Sequence, residues 1–415
     1  MDYLNCQQLD QANQLIDDHL TEIVVGQETV ELSAALGRVT AAEIRATEDL
    51  PGYSRSTVDG FAVRSEDSFG ATDSTAAFFT VIGEVVMGQA ADFELHPGQA
   101  VAIPTGGMLP CGADAVVMLE YTEQPDTKSL LVQKVAAPYE NVVRRGEDIA
   151  AGSVLVEAGI RLSAKHIGLL AACGCCAVPV RTPLRVALVS SGDELVDIGE
   201  TPQMGQVRDV NSYSLAALLA EWGCEVHRMG IVRDSFDLFL AQLSSAVQTC
   251  QLVIISGGSS VGAKDFTVPA IQALGSPGLL MHGLAIKPGK PTIFGMAGKV
   301  PVFGLPGHPV AALVVCEQLV AAAVWKMTGM KANARLKRVP AILNRNIASV
   351  PGRDDFITVR IDESATGLVA EPLIGKSGLI SLISKAEGIL HIPAEKSGLY
   401  QGELVWVSLM GRKGE

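Results

Sequence analysis

The chain has 415 residues, of which 48% are apolar and 19% charged, the composition of a soluble protein with several hydrophobic cores. Acidic residues outnumber basic ones by 45 to 32, and the formal net charge of −13 argues against non-specific binding to nucleic acid or to an anionic membrane. A local basic cluster still allows an anionic small ligand, and length alone predicts roughly three domains.

The first part of the chain predicts a helical start, a β-rich segment and a second helix. Helical spacing covers residues 9–20, and a second short helix is predicted over residues 33–38. Turn formers from Glu48 onward predict a loop. Turn-separated β runs then predict a small β domain, with strands at 77–87, 100–103, 115–121 and 130–135. A helix follows from the N-cap Ser163 to about Ala172.

Because similar segments flank the β domain on both sides, we predict that it is inserted into another unit. Residues 51–144 form the inserted β-rich lasso domain in this interpretation, and residues 1–50 with 145–182 form an elongated N-terminal domain.

Residues 183–329 predict a doubly wound parallel sheet, because apolar strands alternate with helices. The strands are predicted at 185–190, 224–232, 252–256 and 300–304, and the helices at 211–222, 236–247, after the turn at 255–267, and at 309–327. Glu317 and Gln318 interrupt the last helix, so it is predicted to be buried and not to span a membrane. We therefore expect a cytoplasmic protein.

The pattern returns to β after Gly329, and residues 330–415 predict a compact C-terminal β domain. Its strands are expected at 337–343, 356–361, 368–372, 388–393 and 403–409. The chain also contains eight cysteines, which in a cytosolic protein are expected to be small buried hydrophobes. The cluster Cys173–Gly174–Cys175–Cys176 lacks a second ligand pair, so a metal site is not favoured there.

The stretch I-S-G-G-S-S-V-G-A-K-D-F-T, residues 255–267, is a glycine and serine turn that follows a predicted strand. It is not a phosphate-binding P-loop, because Ala263 separates Gly262 from Lys264 and Asp265 stands where Ser or Thr is needed. Its backbone N–H groups and serine hydroxyls suit a phosphate or another oxyanion. Asp265 either caps the following helix or binds a cation that sits between it and the anion.

Other turns at the same predicted sheet edge carry carboxylates and lysines. They contain Asp193 and Glu194, Asp234, Lys287 and Lys290, and the stretch G-L-P-G-H-P-V at 304–310. Each turn alone is a weak signal, but carboxylates and lysines on one edge are typical of a site where Mg²⁺ bridges to phosphates. His308 is a base, a ligand or, as is more common at a helix start, a structural residue. Asp59 lies on an irregular loop, which favours a functional role.

Together these motifs resemble the molybdopterin molybdenumtransferase family, the MoeA proteins and the gephyrin E domain. The matching stretches are P-G-Y-S-R-S-T-V-D-G-F-A-V-R (51–64), I-P-T-G-G-M-L-P-C-G-A-D-A-V-V (103–117), R-R-G-E-D-I (144–149), V-S-S-G-D-E-L-V (189–196), S-G-G-S-S-V-G-A-K-D (256–265), I-K-P-G-K-P (286–291) and G-L-P-G-H-P-V (304–310). They occur in the family's order and extend over nearly the whole chain.

The resemblance implies a multidomain α/β plus β subunit: a central MogA-like parallel-sheet domain, the inserted lasso domain, the elongated N-terminal domain and a C-terminal β-barrel-like domain. It implies a homodimer whose active site is shared between subunits. The implied reaction inserts molybdenum from molybdate into adenylylated molybdopterin, with Mg²⁺-dependent release of AMP. A molybdopterin adenylyltransferase and recipient molybdoenzymes are the implied protein partners; nucleic acid and membranes are not expected.

The resemblance also implies site residues. The implied catalytic residues are Asp59, Asp148, Glu194 and Lys287. The implied metal ligands are Asp234, Asp265 and Glu194. The implied substrate-binding residues are Thr105, Gly257, Gly258, Ser259, Ser260, Lys290, Pro306, Gly307, His308, Arg353 and Ser377.

Two alternatives stay open at this point. One is a molybdopterin adenylyltransferase-like activity, which uses the same α/β module; the lasso segment and the C-terminal β domain count against it. The other is a non-catalytic cofactor carrier or scaffold. The acidic residues at the implied site count against that reading, because a scaffold has no need of clustered like charges.

Overall fold

The structure is a computed structural model that describes residues 6–21, 23–257, 266–331, 338–365, 367–376 and 378–410. The chain begins with helix Leu9–Leu20, as predicted, which buries Ala12, Ile16 and Leu20. The short helix expected at 33–38 is only a 3₁₀ turn, Leu32–Ala34. The N-terminal region is built from segments on both sides of the β-rich insertion. They are strand Gln27–Glu31 with Ala177–Arg181, strand Ile44–Arg45 with Val154–Val156, and helix Ala164–Ala172.

The β-rich insertion is a six-stranded sheet with a hydrophobic cluster on each face. Its strands, in spatial order, are Ala115–Met118, Gly60–Val63, Gln99–Ile103, Ala77–Glu84, Ser129–Val132 and Thr122–Glu123. The strand predicted at 115–121 ends at Met118, and a 3₁₀ turn, Leu119–Tyr121, follows it.

The two chain segments that lead into and out of the insertion are paired with each other. Strand Arg55–Ser56 is antiparallel to Val142–Val143, and Leu50 exchanges backbone hydrogen bonds with Ile149 at 2.7 and 3.0 Å. We refer to this paired segment, residues 50–56 and 142–149, as the neck.

The central α/β region contains a six-stranded sheet covered by helices on both faces. Successive residues of its strands alternate between the two clusters, Val186 and Leu188 on one face and Ala187 and Val189 on the other, which explains the continuous apolar runs. Four neighbouring strands are parallel: Glu225–Val232, Arg185–Ser191, Leu252–Ser256 and Val300–Leu305. The helices are Asn211–Glu221, Phe236–Thr249, Thr267–Ala273, Pro309–Val315 and Ala321–Met327.

The sheet also has an antiparallel edge that the sequence did not predict. Strands Ile293–Ala297 and Pro277–His282 add to the parallel set as two antiparallel strands. Proline and glycine obscure their β pattern. Pro277 is tolerated because Pro277–His282 is the edge strand, where part of the backbone needs no ladder partner. Gly295 lies on the inner strand, where a Cβ would be 2.6 Å from Ile271. The doubly wound fold is confirmed, with a mixed rather than wholly parallel sheet.

The apolar segment 309–327 is a core helix of this region. Among the described residues, this helix is long and apolar enough to cross a membrane. However, 78% of its most apolar window is buried inside the protein. One turn, Cys316–Val320, is π-helical and carries Glu317, whose side chain is buried. Burial raises the pKa of the Glu317 carboxyl to about 8, and nearby Glu221 adds to the effect.

The C-terminal region is a closed barrel, as the resemblance implied. Its strands pair in a ring in the order Arg338–Leu343, Gly367–Pro372, Asp354–Ser364, Gly388–Ile392 and Leu404–Leu409, and the last pairs again with the first. The short strand Ile286–Lys287 of the α/β region joins the barrel by pairing in parallel with Asp354 and Asp355. Helix Ile380–Lys385 lies between the barrel strands in sequence.

The cysteines form no disulfide. Cys173, Cys250 and Cys316 are buried, whereas Cys111 and Cys176 are exposed, so the expectation of small buried hydrophobes holds for only part of the set. Across the described part of the chain, no three acidic, histidine or cysteine side chains are grouped to hold a metal ion.

Candidate active site

The turns that follow the parallel strands meet at one edge of the α/β sheet. Gly192 N donates to Val232 O at 3.4 Å, and the backbone N–H of Asp234 donates to Asp193 Oδ1 at 3.1 Å. On the next strand, Gly257 N donates to Leu305 O at 3.3 Å. These bonds join the turns in two neighbouring pairs, and all four turns lie at one edge because parallel strands place their carboxyl ends there.

Glu194 and Asp234 therefore lie on adjoining turns of this edge. Glu194 is exposed and its side chain folds back over the turn, since a Cβ on Gly192 would lie 2.6 Å from Glu194 Oε2. Asp234 is half-buried. Carboxylate oxygens are the ligands that Mg²⁺ prefers, and Mg²⁺ commonly takes only one or two of them together with substrate phosphates. The donor chemistry of this edge thus fits a magnesium ion bound jointly with a phosphate ligand.

Gly257 begins the glycine and serine turn, and its conformation requires glycine. Its φ is +90°, and a Cβ there would lie 2.3 Å from Ser191 O. The backbone of the two turns therefore approaches more closely than any side chain allows. The other predicted residues of this turn, Gly258, Ser259, Ser260 and Asp265, lie outside the described residues, as does Ser377.

Beneath the edge lies a network of buried polar side chains that the sequence interpretation missed. Ser190 Oγ donates to Asp209 Oδ2 at 2.6 Å, and the Asn211 amide donates to Ser256 Oγ at 2.8 Å and to Gly307 O at 2.9 Å. Each of these side chains is nine-tenths or more buried. The sequence predicts only a helix that starts at Asn211 here, because the partners of Asp209 and Asn211 are distant along the chain.

A cavity of about 1070 Å³ lies between the α/β region and the barrel. The predicted residues that line it are Lys287, Lys290, Pro306, His308 and Arg353. Lys376 lines it as well, and the cationic side chains make the cavity wall basic. The Arg353 guanidinium donates from Nε to Asp355 Oδ1 at 3.0 Å, and Asp355 is 1% exposed, so the arginine is fixed at the wall by a buried carboxylate.

The turn at residues 306–308 lies both at the sheet edge and in the wall of the cavity. Pro306 and His308 line the cavity, while Gly307 accepts the hydrogen bond from Asn211 at the sheet edge. The carboxylate edge and the basic cavity are therefore neighbours that share one turn.

Asp59 and Thr105 form a separate pair in the β-rich insertion. Thr105 donates to Asp59 Oδ1 from its backbone N–H at 2.7 Å and from its hydroxyl at 3.0 Å. These two bonds, the backbone one first, lower the pKa of the Asp59 carboxyl. Asp59 is exposed, ionised at neutral pH and held in one orientation, but neither residue lines the cavity.

Asp148 is also apart from the cavity. It lies on the neck, where its N–H donates to Leu50 O at 3.2 Å, and its side chain is exposed. It is near the cysteine cluster: burial raises the pKa of the Cys173 thiol, with smaller contributions from Cys175 and then Asp148. Thus one chain brings together the edge residues and the cavity residues, but not Asp59, Thr105 or Asp148 with either.

Three family models match successive parts of the chain. The "MoeA N-terminal region (domain I and II)" matches residues 7–174, the "Probable molybdopterin binding domain" residues 187–326, and the "MoeA C-terminal region (domain IV)" residues 340–410.

Similar proteins match along almost the full length. A putative molybdopterin biosynthesis protein of Methanocaldococcus jannaschii is 32% identical, with 98% of each chain covered. A molybdopterin molybdenumtransferase of Haemophilus influenzae is 32% identical over 92% of this chain and 93% of its own. A crystal structure of the molybdopterin biosynthesis moeA protein of Pyrococcus horikoshii OT3 superposes with a TM-score of 0.86 at 30% identity, covering 98% of this chain and 100% of that one.

Proposed function

Because this chain belongs to the MoeA family of molybdopterin biosynthesis proteins, we propose that it is a molybdopterin molybdenumtransferase. It takes adenylylated molybdopterin and molybdate, cleaves the adenylate with release of AMP, and inserts molybdenum into the molybdopterin. The observation that carries this proposal is the shared turn at 306–308, which joins a carboxylate edge suited to Mg²⁺ and phosphate to a basic cavity suited to an oxyanion.

Cleavage of the phosphoric anhydride occurs at the sheet edge in this proposal. Glu194, Asp234 and Asp265 are the residues that would hold Mg²⁺, which when bound neutralises charge on the phosphates. The backbone N–H groups of the glycine turn that starts at Gly257 bind phosphate oxygens, since successive N–H groups form an anion-binding concavity.

Molybdate binds in the basic cavity as a substrate. It is a tetrahedral dianion, and charge-assisted N–H donors are the groups that bind such an ion most strongly. Lys287, Lys290 and Arg353 supply these donors from the cavity wall. His308 lines the cavity from the turn shared with the sheet edge, so in this proposal it contacts the part of the substrate that joins the two sites.

Asp59 and Asp148 reach the site from the second subunit of a homodimer. Within one chain neither lines the cavity, and Asp59 presents a fixed, ionised carboxylate to solvent. A carboxylate held in one orientation at an exposed position suits a wall that another subunit completes. We propose a cytoplasmic enzyme that receives its substrate from an adenylyltransferase and delivers its product to molybdoenzymes.

One assay tests the function. Purified protein is incubated with adenylylated molybdopterin, molybdate and Mg²⁺, and both AMP and active cofactor are measured. Formation of both supports the proposal. A parallel incubation with molybdopterin, ATP and Mg²⁺ tests the first alternative: formation of adenylylated molybdopterin and pyrophosphate, without metal insertion in the main assay, indicates an adenylyltransferase. Binding without turnover in either incubation indicates a carrier.

Asp59→Asn is expected to lower insertion strongly and leave the fold intact. Asp126→Asn is the matched control, since Asp126 is an exposed carboxylate that accepts backbone hydrogen bonds from Lys128 and Ser129 at the opposite edge of the same sheet. Normal insertion by Asp59→Asn would remove Asp59 from the site.

Mixing inactive variants tests the shared site. Asp59→Asn and Glu194→Gln are each expected to be inactive, and random re-pairing of equal amounts should restore about a quarter of wild-type activity, because half of the dimers then contain one intact site. Absence of recovery after confirmed subunit exchange would show that each subunit carries its own site.

A further inference from the structure

The buried amide of Asn211 connects two turns of the site, and the mechanism above does not use it. We propose that Asn211 is a positioning residue, which holds the turn at 306–308 against the end of strand Leu252–Ser256. This inference rests on the proposed function, and it adds a residue that no motif of the sequence interpretation included.

Both amide hydrogens of Asn211 bridge the two turns. Nδ2 donates to Ser256 Oγ at 2.8 Å and to Gly307 O at 2.9 Å. The turns touch each other at this point, since a Cβ on Gly307 would lie 3.9 Å from Gly257 Cα. The side chain of Asn211 is buried, so water does not compete for these bonds. The amide therefore sets the spacing of the two turns.

The position of Asn211 is in turn fixed from a third strand. Asp209 accepts hydrogen bonds from Ser190 Oγ at 2.6 Å, at the end of strand Arg185–Ser191, and from Ser212 N at 3.1 Å. The second bond holds the first turn of helix Asn211–Glu221, which begins at Asn211 itself. The ends of three parallel strands are thus coupled through buried side chains.

Stability alone does not explain an asparagine at this position. Its Oδ1 is buried and has no hydrogen-bond partner among the described residues, and an unsatisfied buried acceptor destabilises the folded state. What the amide provides in return is a pair of donors with fixed geometry. Those donors bind Ser256, which precedes the phosphate-binding turn, and Gly307, which precedes His308. Both segments contact substrate in the proposed function.

The test compares Asn211→Ala with Thr328→Val. Thr328 is also a buried hydrogen-bonding residue of the α/β region, whose hydroxyl donates to Val324 O at 2.7 Å at the opposite end of helix Pro309–Met327 from His308. Both variants are expected to lower the melting temperature. Only Asn211→Ala should lower kcat for AMP release, by about 10- to 100-fold, because a displacement of about 1 Å of a positioned group costs about that much.

A second readout is independent of turnover. Hydrogen exchange of the peptide that covers residues 303–310 should speed up in Asn211→Ala and stay at the wild-type rate in Thr328→Val. If Asn211→Ala does not fold, Asn211→Ser, which keeps one donor, replaces it and should show a smaller fall in kcat.

Two results would overturn the inference: a kcat for the Asn211 variant equal to that of Thr328→Val, or unchanged exchange at residues 303–310. Failure of the wild-type protein to release AMP would overturn the proposed function instead, and the exchange experiment would still report on the turn.

Discussion

The buried carboxyl of Glu317 makes the stability of the α/β region depend on pH in a direction that is unusual for an acidic residue. Glu317 is 5% exposed on the π-helical turn, and its Oε2 has no hydrogen-bond partner among the described residues. Burial first, and then the charge of Glu221, raise its pKa from 4.5 to about 8. The folded protein therefore keeps a proton that the unfolded chain releases above pH 4.5.

The size of this pH effect on stability follows from the interval between the pKa values of Glu317 in the unfolded and folded states. Below pH 4.5 both states are protonated, and the stabilisation is complete. Between pH 4.5 and about 8 the unfolded chain binds fewer protons, so stability falls as pH rises. At about 1.4 kcal/mol per pH unit, the total loss is on the order of 5 kcal/mol. Glu317→Gln removes this dependence, although the substitution itself changes stability by a constant amount.

Urea unfolding at pH 5, 6, 7 and 8 measures the effect in one region of the protein. Trp222 and Trp325, whose ring centroids are 6.4 Å apart, report on the helices around Glu317. Trp406, which lies in the barrel and is 57% exposed, is replaced by Phe in every variant so that it adds no signal. The exposed Glu200→Gln controls for the loss of one negative charge.

The free energy of unfolding of Glu317→Gln should rise relative to wild type by several kcal/mol from pH 5 to pH 8. Parallel pH profiles for the two proteins would refute the reasoning. They would mean that Glu317 is ionised in the folded state and that its neighbours compensate the charge.

Three further predictions concern the site. Thr105→Val removes the hydroxyl that, after the backbone N–H, lowers the pKa of Asp59, so the acid limb of the pH–rate profile for AMP release should move to higher pH, whereas Thr105→Ser should keep it in place. Gly257→Ala places a Cβ 2.3 Å from Ser191 O and should abolish activity and lower the melting temperature; Gly205→Ala, at φ +89° with nothing within 4 Å, carries the backbone strain alone and should stay active. Chelation with EDTA should stop AMP release without unfolding the protein, and added Mg²⁺ should restore it; release that persists in EDTA would exclude the magnesium role.

Local patterns predicted the elements well where burial dictates periodicity. Helix Leu9–Leu20 and strand Leu252–Ser256 have the predicted bounds. The helix is amphipathic and the strand is continuously apolar, and both patterns depend only on residues that are close in sequence. The family resemblance also predicted the types of domain, because its motifs lie in turns whose positions depend on the domain fold.

The parts that were missed depend on contacts between distant residues. Asn211 pairs with Ser256 and Gly307, 45 and 96 positions away, and an asparagine at a helix start is usually a cap. The antiparallel strands Pro277–His282 and Ile293–Ala297 were hidden by proline and glycine. Pro277 is accepted because its strand is at the edge of the sheet, and Gly295 because a Cβ there would lie 2.6 Å from Ile271, a contact that is distant in sequence. The separation of Asp59 from the cavity is likewise set by how the insertion is attached, which no local pattern records.

The neck allows the β-rich insertion to be removed from the chain as one unit. Leu50 and Ile149 are hydrogen-bonded partners, so the chain leaves and re-enters the rest of the protein at practically the same point. Joining these two positions by a short turn would close a loop that is already closed, at little entropic cost. A chain shortened in this way should keep its α/β region, its barrel and its basic cavity while losing Asp59, Thr105 and Asp148. The segment that carries Asp59 and Thr105 is thus attached to the rest of the chain at one paired point, whereas Lys287 lies outside that segment.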